Sequence, residues 1–162
     1  MSTTTRHHEV TITADPAVPT IEIVREFDAP PAAVFRAHVE PDLVTRWLGP
    51  RGMTMEITRW EAETGGAYRY SHRDANGEYG FYGSFHEVRP GERIVQTFTF
   101  DGYPDGVCLE TLHFQDLGDG RTRLRGLTAF ESVEARDLAV SSGMDTGVVE
   151  GYEQLDELLT DL

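Results

Sequence analysis

At 162 residues the chain has room for one domain and a short tail, and its 39% of hydrophobic residues, with 8 Phe, 6 Tyr and 2 Trp, exclude a disordered chain and a second catalytic module. Its 14 basic residues, all arginine, face 28 acidic ones, and the formal charge of −14 repels phosphate backbones and anionic lipid, so no nucleic acid and no membrane is expected as a partner. Cys108 is the single cysteine, no apolar run approaches the ~18 residues of a membrane span, and the start from Met1 to His8 lacks a secretory stretch, so a reducing, cytoplasmic location is expected.

Residues 1–19 read as a partly ordered N-terminal extension, in which Val10 and Ile12 alternate with threonines until Asp15-Pro16 interrupts them, and residues 20–162 read as the domain. Thr20 to Phe27 is β-branched and aromatic, the composition of a full strand. Asp28-Ala29-Pro30-Pro31 is a helix-start signal, and Val34, Phe35, His38 and Val39 give that helix one apolar side. Glu40-Pro41 ends it and begins a second short helix through Trp47, closed by Leu48-Gly49-Pro50-Arg51-Gly52. From Met53 the period falls to two. Strands are expected over Met53 to Glu61, Ala67 to Arg73, Glu78 to Arg89, Arg93 to Phe100, Val107 to Asp116 and Arg121 to Phe130, with Asn76-Gly77 accepting positive φ at both central positions of a hairpin turn. In the last strand Thr122, Leu124, Gly126, Thr128 and Phe130 share the core side, and Arg121, Arg123 and Arg125 the wet side. Helical spacing returns at about Val133 to Val140 and, after a joint at Gly143, over Met144 to Leu162. There Met144, Val148, Tyr152, Leu155, Leu159 and Leu162 form one stripe and the opposite face is acidic.

This order predicts an α+β fold: a curved antiparallel seven-strand sheet wrapped around a long C-terminal helix, with two short helices after the first strand. One helix does not fill a strongly bent sheet, so an apolar gap is expected between them, the kind of place where small ligands bind.

Arg46-Trp47-Leu48-Gly49-Pro50, Gly65-Gly66-Ala67-Tyr68-Arg69-Tyr70, the run from Gly83-Ser84-Phe85 through Val88-Arg89-Pro90 to Ile94-Val95, Gly118-Asp119-Gly120-Arg121-Thr122, and Gly143-Met144 followed by Leu155 and Leu158-Leu159 carry a resemblance across Thr20 to Leu162. On these motifs the chain resembles the START-like, or SRPBCC, superfamily and, within it, homologues of the activator of the heat-shock protein 90 ATPase. The resemblance implies the helix-grip fold. It also implies a range of functions, from small-molecule carriage to polyketide cyclisation to co-chaperone action on a chaperone ATPase. Any ATPase so implied belongs to a partner, because no Walker loop, kinase signature, nucleophile elbow or Ser-His-acid ordering occurs in this chain.

The leading expectation is a non-catalytic protein that binds a small hydrophobic or aromatic molecule, without cofactor or metal, as monomer or homodimer. The expected cavity lining is Trp47, Met55, Tyr68, Tyr70, Phe85, Phe98, Phe100, Leu112, Phe114, Leu124, Met144, Val148 and Tyr152. Trp47 reads more readily as a plug fixing the helix pair to the sheet than as a wall for ligand stacking. Tyr68 and Tyr70, at i and i+2, either orient a polar ligand atom or simply pack with their hydroxyls at the rim. Gly65-Gly66 joins two strands and so is a turn, not a phosphate cradle. His72-Arg73-Asp74 and His86-Glu87 lack a third ligand at zinc spacing, His38 reads as a satisfied half-buried residue, His113 as solvent-facing, and Cys108 as an inert thiol. An enzyme of the cyclase or aromatase kind would draw its acid or base from Tyr68, Tyr70, His38 or His86, with two polar groups converging ~3 Å from one substrate atom. A co-chaperone would instead present the acidic surface to a basic patch on its partner.

Overall fold

The structure, a computed structural model, describes residues 8–162; of the polar start expected at 1–8, all but His8 lies outside them. Alternating buried and half-buried residues make Thr20–Phe27 (β2) a strand with Ile21, Ile23, Arg25 and Phe27 on one side. Pro31, which has no backbone N–H to donate, opens Pro31–Val39 (α1) at the position where none is needed, and Pro41–Val44 (α2) follows directly. The strands Thr54–Trp60 (β3), Ala67–Asp74 (β4), Gly77–Arg89 (β5), Arg93–Phe100 (β6), Cys108–Gly118 (β7) and Arg121–Ala129 (β8) form an antiparallel meander. β8 returns to pair with β2, and the helices Val133–Ser141 (α3) and Met144–Leu159 (α4) complete the chain. Register shifts at Ile57/Arg59 in β3 and Phe85/Glu87 in β5 mark bulges, which bend strands and help the sheet curl.

Four local expectations are corrected. The sheet has eight strands, not seven, in the order β1-β2-β8-β7-β6-β5-β4-β3, because Thr11–Ala14 (β1) pairs from Thr11↔Val24 to Ala14↔Ile21 and satisfies the free edge of β2. The second helix stops at Val44, and the chain reaches Trp47 through turns. The β4–β5 hairpin turns on Ala75-Asn76, and neither residue has positive φ; the Asp74 carboxylate accepts from Asn76 N–H (2.8 Å) and Gly77 N–H (3.2 Å) and holds the turn by side-chain bonds instead. The terminal helix ends at Leu159, with Leu162 exposed beyond it, while Gly151 and Leu158 join Leu155 as its buried residues.

The core is densest where α1, α2 and the second half of α4 meet the sheet. Phe27, Val34, Leu124 and Leu155 are at most 1% exposed there. Serine and arginine tie the remaining helix down. The Ser132 side chain caps α3 by accepting from Ala135 N–H, and buried Arg136 donates to the carbonyls of Val18 and Thr20. On the outer face Arg121 and Arg123 pair with Glu26, and Arg125 with Glu22, as the wet side of β8 predicts.

Candidate functional site

The register lays one row of side chains across the sheet's inner face: Phe85 opposite Gln96, Gln96 opposite Glu110, Glu110 opposite Thr128 and Thr128 opposite Ile21. Gln96 and Glu110 stand at the middle of this row, flanked on their own strands by Ile94, Phe98, Cys108 and Leu112. Gln96 Nε2 donates to Glu110 Oε1 at 3.2 Å and lies 3.4 Å from the Tyr68 hydroxyl. That hydroxyl itself donates to the Thr97 carbonyl at 2.6 Å. The reach is made across Gly83, where a Cβ would lie 2.0 Å from the Thr97 carbonyl oxygen and 2.7 Å from the tyrosine hydroxyl, so the glycine is a requirement of close approach.

Burial sets the chemistry of this floor. Loss of hydration raises the Glu110 carboxyl from 4.5 to about 7, with the Gln96 hydrogen bond opposing, so it titrates near neutrality. Tyr68, Tyr70 and Tyr152 are pushed well above the ordinary phenol range, first by burial and then by the field of Glu110, and Cys108 is raised for the same two reasons. All four stay neutral, and a thiol so raised is a poor nucleophile. Arg25 is the cation on this side of β2 and is spent: it makes two bonds to Asp156 of α4, one of 3.0 Å, and lies over the Phe27 ring.

Glu110 lies deep, yet it and its neighbours Phe81, Gln96, Phe98, Leu112, Val148 and Tyr152 all retain partial exposure although they face the core side of their elements. Side chains in a solid core would be closed off, as Leu124 and Leu155 are. Along the inner face, burial is therefore most complete at the α1–α2 end and only partial around Glu110.

The expected lining residues divide accordingly. Trp47 is 5% exposed, donates from Nε1 to the Ala37 carbonyl at 2.8 Å and stacks on Tyr152, the geometry of a plug. Phe114 and Leu124 sit in the dense half. Tyr68, Tyr70 and Phe85 form one aromatic group with Trp60, in which the two tyrosine rings stack at 5.9 Å. Phe98, Leu112, Val148 and Tyr152 are half-buried, Met55 packs on the core from β3, and half-buried Met144 opens α4. Phe100, 38% exposed, lies tilted against Phe81 at the outer end of β6, and Phe81 in turn stacks on Phe98.

The expected acid–base residues do not converge. His38 contacts the Val34 carbonyl through Nδ1 at 2.7 Å, and burial lowers its pKa to about 4. His72 is buried against Tyr70 and Phe81 with its pKa lowered by the same cause, and its Nδ1 has no partner among the described residues. His86 and His113 are exposed. Among the described residues no cluster of His, Cys, Asp or Glu is placed to hold a metal ion, and no helix is long and apolar enough to cross a membrane. Two surface grooves lie away from the Glu110 floor, one of about 490 Å³ between α2 and β3 and one of about 320 Å³ lined by Val10, Arg25, Val149 and Glu153.

Sequence reasoning missed Glu110, Gln96 and Arg25 on the inner face. The signal was present: if Leu112 and Phe114 point inward, Glu110 does too, since side chains alternate along a strand.

A curved antiparallel sheet gripping a C-terminal helix, with a polar group set in an aromatic inner face, defines a START-like helix-grip domain. Residues 28–160 match the family described as Activator of Hsp90 ATPase homolog 1-like protein, and the chain belongs to that family. No curated protein matches the chain. Among solved structures, a Rhodobacter sphaeroides protein is 30% identical, with 95% of this chain and 100% of that one aligned at a TM-score of 0.86. A Chromobacterium violaceum protein is 29% identical over 87% of this chain and 96% of its own, with a TM-score of 0.77. An Arthrobacter aurescens protein is 26% identical over 94% and 92% of the two chains, with a TM-score of 0.85.

Proposed function

We propose that this protein binds a small, largely apolar or aromatic molecule between the inner face of β5–β7 and the first half of α4. The observation that carries the reading is the partial exposure of Phe81, Phe98, Leu112, Val148 and Tyr152 on the core side of the fold, where close packing would seal them. Aromatic rings there offer flat, rigid contact area, and Trp47 closes the far end as structure. The test is a titration with N-phenyl-1-naphthylamine, whose emission rises in apolar surroundings. The expected result is saturable, one-site binding with a Kd on the order of 1–50 μM, abolished by Val148→Trp, which fills the space from the helix side. Emission that never saturates, or that the tryptophan leaves unchanged, overturns the reading.

A cyclase-like activity is favoured by the place of Glu110 at the middle of the inner face, bonded there by Gln96, where burial pushes its carboxyl up to about 7 and suits it to moving protons at neutral pH. Its base would be Glu110 instead of a histidine, and turnover of an aromatic polyketone lost in Glu110→Gln would establish it.

A further inference from the structure

We propose that the Glu110 carboxylate is the recognition group of this hollow and selects apolar molecules carrying a protonated amine, discriminating against carboxylates of the same shape. The inference rests on the ligand-binding reading and deepens it. Glu110 stands at the centre of the inner face, and its only protein hydrogen bond among the described residues is the one from Gln96 Nε2 to Oε1, so Oε2 and the remaining lone pairs are free to accept. Every charged or titratable group near it leaves its negative charge uncompensated. Tyr68 and Tyr70 of β4, Cys108 of β7 and Tyr152 of α4 are held neutral, and Arg25 of β2 is already bonded to Asp156. The Tyr68 hydroxyl, 3.4 Å from Gln96 Nε2, is committed to the Thr97 carbonyl.

A carboxylate in surroundings of low dielectric lacks the hydration it has in water, so a cation that reaches it recovers an interaction much stronger than at the surface. An anion entering the same space meets like charge, and Arg25 on this face is already bonded to Asp156. The ring-lined walls supply the apolar contact and the carboxylate supplies the choice.

Three naphthalene probes of nearly equal shape separate these effects: 2-naphthylmethylamine, 2-naphthalenemethanol and 2-naphthoate, each titrated by calorimetry at pH 8 into the full chain. Working in 150 mM NaCl screens the field of the acidic exterior over roughly 8 Å. The expected order is amine, then alcohol, then carboxylate, with the amine at least about tenfold tighter than the carboxylate. In Glu110→Gln that ratio falls to within about threefold. Glu110→Leu provides the same comparison should the glutamine variant not fold. A preference for the amine that survives both substitutions undiminished comes from the surface charge and overturns the proposal. Equal binding of all three probes overturns it too, while leaving the ligand-binding reading intact. Binding of none of them below about 1 mM removes both.

Discussion

Single residues set the pH behaviour of this protein, and two of them pull in opposite directions. Burial raises Glu110 from 4.5 to about 7. With its folded pKa above the unfolded one, the stability tied to its protonated form is present below pH 4.5 and lost as the pH climbs through 7. Burial lowers His38 from 6.5 to about 4, so the stability tied to its neutral form is present above pH 6.5 and lost as the pH falls through 4. Between those limits the slopes oppose, and a pH profile of the native protein understates both. Glu110→Gln separates them. Its urea-unfolding free energy should match the native value near pH 4.5 and exceed it by about 1–3 kcal/mol at pH 8, since a buried charge is no longer formed. An increment equal at both pH values would mean that the carboxyl ionises as freely in the fold as in water.

At the scale of elements, the segment after α2 is a wedge between the sheet and the terminal helix. Gln154 of α4 donates from Nε2 to the carbonyls of Trp47 (3.2 Å) and Gly49 (2.9 Å), and Gly151 faces the same backbone with no side chain between. Gly49 has a φ of +99°, and a Cβ there would lie 2.6 Å from Cε1 of buried His72. Both the backbone conformation and the space forbid a larger residue. Gly49→Ala should cost about 2–5 kcal/mol, the sum of a left-handed backbone penalty and overpacking against the imidazole, read as a lower urea midpoint at unchanged slope. A loss under about 0.5 kcal/mol would show that the wedge yields freely. The fold was legible at this scale because the hydrophobic period changes from two to about 3.6 at α3 and because proline and glycine punctuate the elements. The helix ends and the wedge were not: Gln154, Gly151 and His72 come together only through tertiary packing, and no local pattern in the sequence relates them. The floor of the site lay between these cases. Strand parity puts Glu110 beside Leu112 and Arg25 beside Ile23 and Phe27, but attention to apolar residues passes over charged ones that share their face.

For the whole molecule the governing quantity is the formal charge of −14. Arginines on the sheet are largely matched, as in Arg73 with Glu78 and Arg125 with Glu22, whereas α4 carries Asp145, Glu150, Glu153, Asp156 and Glu157, with Asp161 just beyond its end and no basic residue of its own. Arg25, Arg46 and Arg51 reach across to some of these acids, and the remainder repel one another and oppose the helix dipole at its C-terminal end. Added salt weakens the exposed pairs and the repulsion together. Exposed pairs contribute little each, with a median of about 0–1 kcal/mol, while repulsion sums over the whole excess of negative charge and is relieved in the expanded unfolded chain. Repulsion therefore wins, and Tm should rise by about 2–4 °C between 10 and 300 mM NaCl, corresponding to roughly 1 kcal/mol for a chain of this size. Sodium sulfate is unsuitable for the measurement because it also strengthens apolar burial. A Tm that falls over the same range in NaCl would mean that the cross-element pairs to α4 hold the helix on the sheet, and that its grip depends on charge more than on Leu155 and Leu158.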